Sequence, residues 1–420
     1  MLQLRSSISA IRPFKNHSNF ELLNTLISSQ FCAQPYLVNN INKFLSISNL
    51  LIGKHATCYY ISKTAGKVFS AGETYEELRE TLQRLSVQNM GGIIDYCAEG
   101  ETSTEGLDNN EKAIIQSALC ATEFPYPSVA VKVTALIDTA LLEKLNIFIE
   151  KKLQKGNEKY IRIFNESIFD GLSKEFEEKE IERIEDCMFR LRRIANICKD
   201  KNVSMMIDAE QTFFQAAIDS FTWTLQNEYN KNSAIVLNTI QSYLKDSENK
   251  LASYLQASKE KSLSLGIKLV RGAYMREEND IALAKGIASP IHDSKEATNY
   301  AYHANTEAIF QYYKQGDRLC IASHNWLSAE FAKEKLYEKK IGRLRGGVTF
   351  GQLLGMKSMM SASLASENYA VQRYVPFGPS DKLIPYLARR AIEQSQVVGE
   401  LYEQVKMIRE ELKIRSNSKY

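Results

Sequence analysis

The sequence predicts a parallel (β/α)8 barrel. Three observations predict it. Eight short β-branched runs lie between residues 91 and 375, long charged helical patterns separate most of them, and unusual polar residues recur at their C-terminal ends. Eight such units favour a closed barrel over an open doubly wound sheet. The chain carries no GxGxxG, Walker A or GxSxG motif, so a nicotinamide Rossmann enzyme, a P-loop ATPase and an α/β-hydrolase all lose support.

The 420 residues suffice for one large α/β domain with a tail, or for two ordinary domains. The 53 basic and 50 acidic residues nearly cancel, which does not suggest a nucleic-acid-binding protein. Seven cysteines, none in a CxxC, suit a reduced compartment. Five scattered histidines show no metal-site spacing, so no protein-bound metal is expected.

Residues 1–50 are expected to be a mitochondrial transit peptide or a disordered segment. Arg5, Arg12 and Lys15 precede the first acidic residue, Glu21, in a Ser- and Asn-rich stretch. No apolar run reaches the length of a membrane-spanning helix. Residues 51–90 are expected to form helices packed before the barrel, 91–405 the barrel itself, and 406–420 a basic tail.

The strands are expected at 91–96, 129–134, 203–208, 234–239, 267–271, 319–323, 347–350 and 371–375. Between them, 173–199 illustrates the helical pattern, with Phe176, Ile181, Ile184, Met188, Leu191 and Ile194 on one face. A barrel places its active site at the C-terminal strand ends. There lie Asp208, the Arg271-Gly272-Ala273-Tyr274 run, Ser323-His324-Asn325, Gln352 and Tyr374. Lys132 sits in an otherwise apolar strand, where desolvation demands a partner or a ligand. Each has a structural alternative: Asp208 as a helix cap, His324 as a hydrogen-bonded core group, Gly272 as a turn, Lys132 reaching to solvent.

After the eighth strand one helix carries two faces. Ile384, Leu387, Ala388, Ala391 and Ile392 make an apolar one, and Tyr386, Arg389, Arg390 and Glu393 the opposite. Adjacent guanidiniums suit bidentate capture of a small carboxylate, although a solvated helix face has the same pattern.

Asp208-Ala209-Glu210, the run from Lys268 to Tyr274, Ser323-His324-Asn325, the run from Phe350 to Met356, and the array of Tyr374, Tyr386, Arg389, Arg390 and Glu393 together resemble proline dehydrogenase. The resemblance covers roughly residues 85–400 and is nearest to the monofunctional mitochondrial enzymes. It implies a distorted (β/α)8 TIM barrel with a C-terminal helix over its mouth, and FAD-dependent oxidation of L-proline to Δ1-pyrroline-5-carboxylate by hydride transfer from C5 to flavin N5. By resemblance, Arg389 and Arg390 hold the substrate carboxylate and Glu393 orients them. Lys132 and Asp208 line the opposite side, and Leu354, Tyr374 and Tyr386 wall the ring. Lys132 with Glu393 is a possible gate pair on the same reading.

Gln241, Lys268, Val270, Gly272, Ala273, His324, Asn325 and Gln352 match flavin-contacting positions, with Lys268 beside N5 and close backbone approach at Gly272. The resemblance also implies ubiquinone as electron acceptor, at the matrix face of the mitochondrial inner membrane, with peripheral attachment. Tyr374 is bulky where hydroxyproline-oxidising relatives are smaller, which favours proline; hydroxyproline is the alternative substrate. A flavin-free lyase on the same fold would need a Schiff-base lysine or phosphate-binding glycines.

Overall fold

The computed structural model describes residues 12–417 apart from 16, 35, 37, 39, 99, 154–159, 161–162, 165–169, 345 and 396–397. Arg5 and the last three residues lie outside the described set, as does the first part of the expected leader. Eight parallel strands close in sequence order: β1 Met90–Tyr96, β2 Ser128–Val131, β3 Ser204–Ile207, β4 Val236–Gln241, β5 Gly266–Val270, β6 Arg318–Ala322, β7 Val348–Leu353 and β8 Val371–Phe377. β8 closes on β1 in a continuous register running from Met90 opposite Val371 to Tyr96 opposite Phe377.

Two strand boundaries move in ways that matter. β2 ends at Val131, and 133–135 turn into a 3-10 helix, so Lys132 stands at the strand end rather than inside it. β4 begins two residues later than the β-branched run suggests. The backbone N–H groups of Ile235 and Val236 donate to the Asn230 side chain, at 2.9 and 3.0 Å, which ties the run's start to the end of the preceding helix. The shift leaves Gln241 as the last strand residue.

Strand periodicity then sorts the side chains. Ile93, Ala130, Met206, Leu237 and Cys320 pack together inside the barrel. Two residues further along each strand, on the same face, come Asp95, Lys132, Asp208, Thr239 and Ala322. An apolar plug therefore carries a polar layer at the C-terminal rim. A larger apolar cluster lies between the strands and the surrounding helices, including Ile184, Met188, Leu191 and Ile194 of helix Glu178–Asp200. That helix begins five residues later than its hydrophobic pattern allows. Glu177 and Glu180 form its capping box, and 172–174 make a separate 3-10 turn. All seven cysteines are free and buried.

Helix Ser380–Ser395 folds across the C-terminal end of the barrel, burying Leu383, Tyr386, Leu387, Arg390 and Ala391. Helices Asn19–Cys32 and Ile41–Ile52 occupy much of the stretch expected to be a leader. Leu22 packs with Phe14 and Ile408, and Cys32 and Val38 pack with Ala391 and Leu401. The tail is part of helix Val398–Asn417. Its Arg415 donates to the carbonyls of Phe14, Lys15 and His17, and Glu411 pairs with Arg12 at 2.8 Å, so the two termini are strapped together. Among the described residues no helix is long and apolar enough to cross a membrane.

Candidate functional site

The polar rim and the overlying helix enclose a cavity of about 300 Å³, within the size range of small-molecule sites. Of the residues expected there, Lys132, Asp208, Tyr374, Tyr386, Arg389, Arg390 and Glu393 line it, with Gln241, Lys268, Val270, Gly272, Ala273, His324 and Gln352. Two do not. Asn325 caps helix Trp326–Glu338, its Oδ1 accepting from Leu327 N–H at 2.9 Å. Leu354 follows the last residue of β7: Leu353 faces the cavity, and Leu354 packs on the outer core beside a separate small cavity.

The inner wall is one ionic network. Asp208 accepts from Lys268 through Oδ1 and from the Tyr374 hydroxyl through Oδ2 at 2.6 Å. Lys132 donates to Asp95 at 2.7 Å and to the Tyr374 hydroxyl at 3.4 Å, and lies 3.9 Å from Asp208. Lys268 also sits over the Tyr374 ring, 5.1 Å from its centroid. Burial pushes the Asp208 carboxyl up, but Lys268, Lys132 and the hydrogen bonds outweigh it and hold it below its ordinary value. Burial and the neighbouring Asp208 charge push the Tyr374 phenol well up, so it serves as a hydrogen-bond donor.

Asp95 was not among the expected site residues. Its signal was the one that singled out Lys132: a charge within an apolar strand, here Ile93-Ile94-Asp95. Arg271 was expected at the rim but was given no role. It lines the cavity, bonded to Ser323 at 2.6 Å, Asn299 at 2.8 Å and Ser328 at 2.9 Å, with its guanidinium 4.4 Å from the Tyr302 ring centroid. The expected Lys132–Glu393 pair does not form, because Asp95 takes Lys132 and Arg390 takes Glu393.

On the overlying helix, Arg390 pairs with Glu393 and lies over the Tyr386 ring at 4.8 Å, while half-buried Arg389 lies over the Tyr274 ring at 5.8 Å. Burial of Glu393 raises its carboxyl despite Arg390 and Arg389. The Arg390 Nε and the Tyr386 hydroxyl are buried without a hydrogen-bond partner among the described residues. A buried polar atom left unpaired is costly, so both point to a ligand group. Five cationic side chains line the cavity against three carboxylates, a balance suited to an anionic ligand.

Gly272 has φ of +145°, and a Cβ there would meet the Tyr243 ring at 2.4 Å. Packing on Tyr243 therefore already requires a glycine. His324 accepts from Leu353 N–H at 3.0 Å, and burial followed by the nearby arginines lowers its pKa to about 3. The unfolded chain, with His near 6.5, binds the extra proton first, so His324 destabilises the fold as pH falls from about 6.5 towards 3. His324→Gln should weaken this dependence. Urea denaturation at pH 7 and pH 5 is expected to show the wild type losing more stability than the variant, by up to about 1.4 kcal/mol per pH unit. Equal losses would mean that His324 is protonated in the fold.

Residues 78–402 match the family model described as Proline dehydrogenase. A protein from Xenopus laevis named hydroxyproline dehydrogenase is 32% identical over 416 residues, covering 96% of this chain and 88% of the relative. Mitochondrial proline dehydrogenase 1 of Dictyostelium discoideum is 30% identical over 404 residues, covering 92% and 71%. The crystal structure of proline utilization A from Bdellovibrio bacteriovorus, inactivated by N-propargylglycine, superposes with a TM-score of 0.65 at 19% identity. It matches 90% of this chain, which spans 36% of that structure's length, and at this identity the likeness concerns the fold. With a family match across the whole barrel and relatives aligned over nearly the full length, this chain belongs to the proline dehydrogenase family.

Proposed function

We propose that the protein oxidises L-proline to Δ1-pyrroline-5-carboxylate. The observation that carries this reading is the pair Arg389 and Arg390, held by the overlying helix across one cavity from the Lys132–Asp95 and Lys268–Asp208–Tyr374 network. The arginines bind the substrate carboxylate, and the unpaired Arg390 Nε is a donor available for it. Fixing the carboxylate orients the ring between Tyr374 and Tyr386. Asp208, kept ionised by two lysines, holds the Tyr374 phenol and the Lys268 ammonium in place.

The excess of cations and the unpaired polar atoms fit a flavin beside the substrate. Gln241, Lys268, Val270, Gly272, Ala273, His324 and Gln352 would hold FAD, which would supply the acceptor for the hydride lost from proline C5. Lys268 places a positive charge and donors on that side of the cavity. The acceptor we propose is ubiquinone at the matrix face of the mitochondrial inner membrane, reached by peripheral attachment. The mitochondrial names of relatives from Dictyostelium and Homo sapiens support a mitochondrial location. The buried contacts of Leu22, Cys32 and Val38 favour retention of their helices, so we place the end of any removed leader before Ser18.

Anaerobic visible spectra before and after L-proline test the reading: flavin bands should bleach. Folded protein that neither contains nor binds flavin would overturn it. Hydroxyproline is the second reading, favoured by the name of the Xenopus relative. Tyr374→Ser should raise the ratio of hydroxyproline to proline turnover by opening space beside Asp208. An unchanged ratio of kcat/KM values would remove Tyr374 as the discriminator.

A further inference from the structure

Two helices outside the barrel leave apolar stripes uncovered. On Asn19–Cys32, Phe20, Leu23, Ile27 and Phe31 recur at i, i+3, i+7 and i+11 and are all exposed. On Ile41–Ile52, Phe44, Ile47, Leu50 and Leu51 fall within one side of the helix, with Leu50 86% and Leu51 75% exposed. Such contiguous apolar surface marks an interaction site. Ile27, Phe31 and Phe44 also border an apolar cavity of about 390 Å³ between the two helices, whose floor is Leu387, Ala388 and Ala391 on the back of the arginine-bearing helix.

Along the chain, the charge of the segment that carries these stripes is one-sided. Lys15, Lys43, Lys54 and Lys67 are exposed, and the single acidic residue between positions 12 and 67, Glu21, is paired with Arg84. Exposed Tyr59 and Tyr60 follow on the next helix, Lys54–Ile61. Apolar side chains for insertion, tyrosines at the boundary and lysines for headgroups are the composition of a face that lies on a bilayer.

From this complementarity we infer that helices Asn19–Cys32 and Ile41–Ile52 form the face by which the protein docks on an anionic lipid leaflet. The inference rests on the proposed membrane-borne acceptor. It names the surface that meets the membrane and identifies the cavity behind it as open towards the lipid. Docking here sets the leaflet against the back of the helix whose front carries Arg389 and Arg390. An apolar tail entering from the bilayer would reach that helix without crossing the substrate cavity.

The test is co-sedimentation of the full-length protein with phosphatidylcholine vesicles, with and without cardiolipin, comparing wild type with Leu50→Asp/Leu51→Asp and with Lys43→Glu/Lys54→Glu. Binding to the cardiolipin vesicles is expected, at least about tenfold weaker in each variant and weaker as salt rises. No binding, equal binding to uncharged vesicles, or binding unchanged by the leucine substitutions would each overturn the assignment. So would a stable dimer that the leucine substitutions dissociate, since a second copy would then cover the face. Reduction of a soluble dye by proline, measured alongside, reads the proposed activity alone and is expected to be unchanged in both variants. Dye reduction without vesicle binding rejects the docking face and spares the enzyme reading. Vesicle binding without dye reduction rejects the enzyme reading.

Discussion

Replacing Arg390 by methionine is expected to raise the KM for proline strongly while flavin stays bound. Arg390 is buried, anchored by Glu393 and stacked on Tyr386, with Nε unfilled. Methionine keeps the stem volume and removes every donor. Loss of a charge-assisted, bidentate contact to a carboxylate is worth about 3 kcal/mol, or roughly a hundredfold in kcat/KM. Arg389 is half-buried and rests on Tyr274, so Arg389→Met should act in the same direction with a smaller effect. Steady-state kinetics beside the flavin-to-protein absorbance ratio separate substrate binding from cofactor loss. An unchanged KM in both variants would reject the carboxylate assignment.

Asp208→Asn should destabilise the fold as well as impair turnover. Asp208 is the node on which Lys268 and Tyr374 converge, with Lys132 3.9 Å away. Asparagine matches its shape but leaves Lys268 buried without its counter-charge, and removing one partner of a buried pair costs about 3–5 kcal/mol. The pH dependence gives an independent check. The Asp208 pKa is lowered in the fold, so its contribution is present above the unfolded carboxylate value near 4 and is lost as pH falls through the folded value. That acid-side contribution should be absent from the variant. Urea midpoints within experimental error of wild type would show that the network does not hold the rim together.

The wall of the site was legible to different degrees for physical reasons. Lys132 stood out because a charge in an apolar strand needs a partner, and Asp208 because it ends a strand at the rim; each has a partner. Asp95 carries the same signal in β1, and its pairing with Lys132 is set by the tertiary structure. Leu354 and Asn325 lie outside the cavity because a motif names neighbours in sequence, whereas the end of the strand and helix capping decide which neighbour faces inward. The Lys132–Glu393 pair was a matter of three-dimensional competition: Asp95 and Arg390 are nearer partners.

The helices at the N-terminus show the same division. Their serine- and basic-rich composition resembles a leader, yet Ser18 caps the first of them and Leu22 and Cys32 are buried on the C-terminal helices. Hydrophobic periodicity and strand-end chemistry determined the barrel and the two-faced helix from the sequence, because periods of two and 3.6 residues translate directly into faces, while the resemblance of the motifs supplied the family and most of the cavity residues. Only the tertiary structure decided which charges pair, which of two adjacent residues lines the cavity, and that the termini pack together. Those outcomes depend on distances between elements far apart in the chain, and no local pattern encodes them.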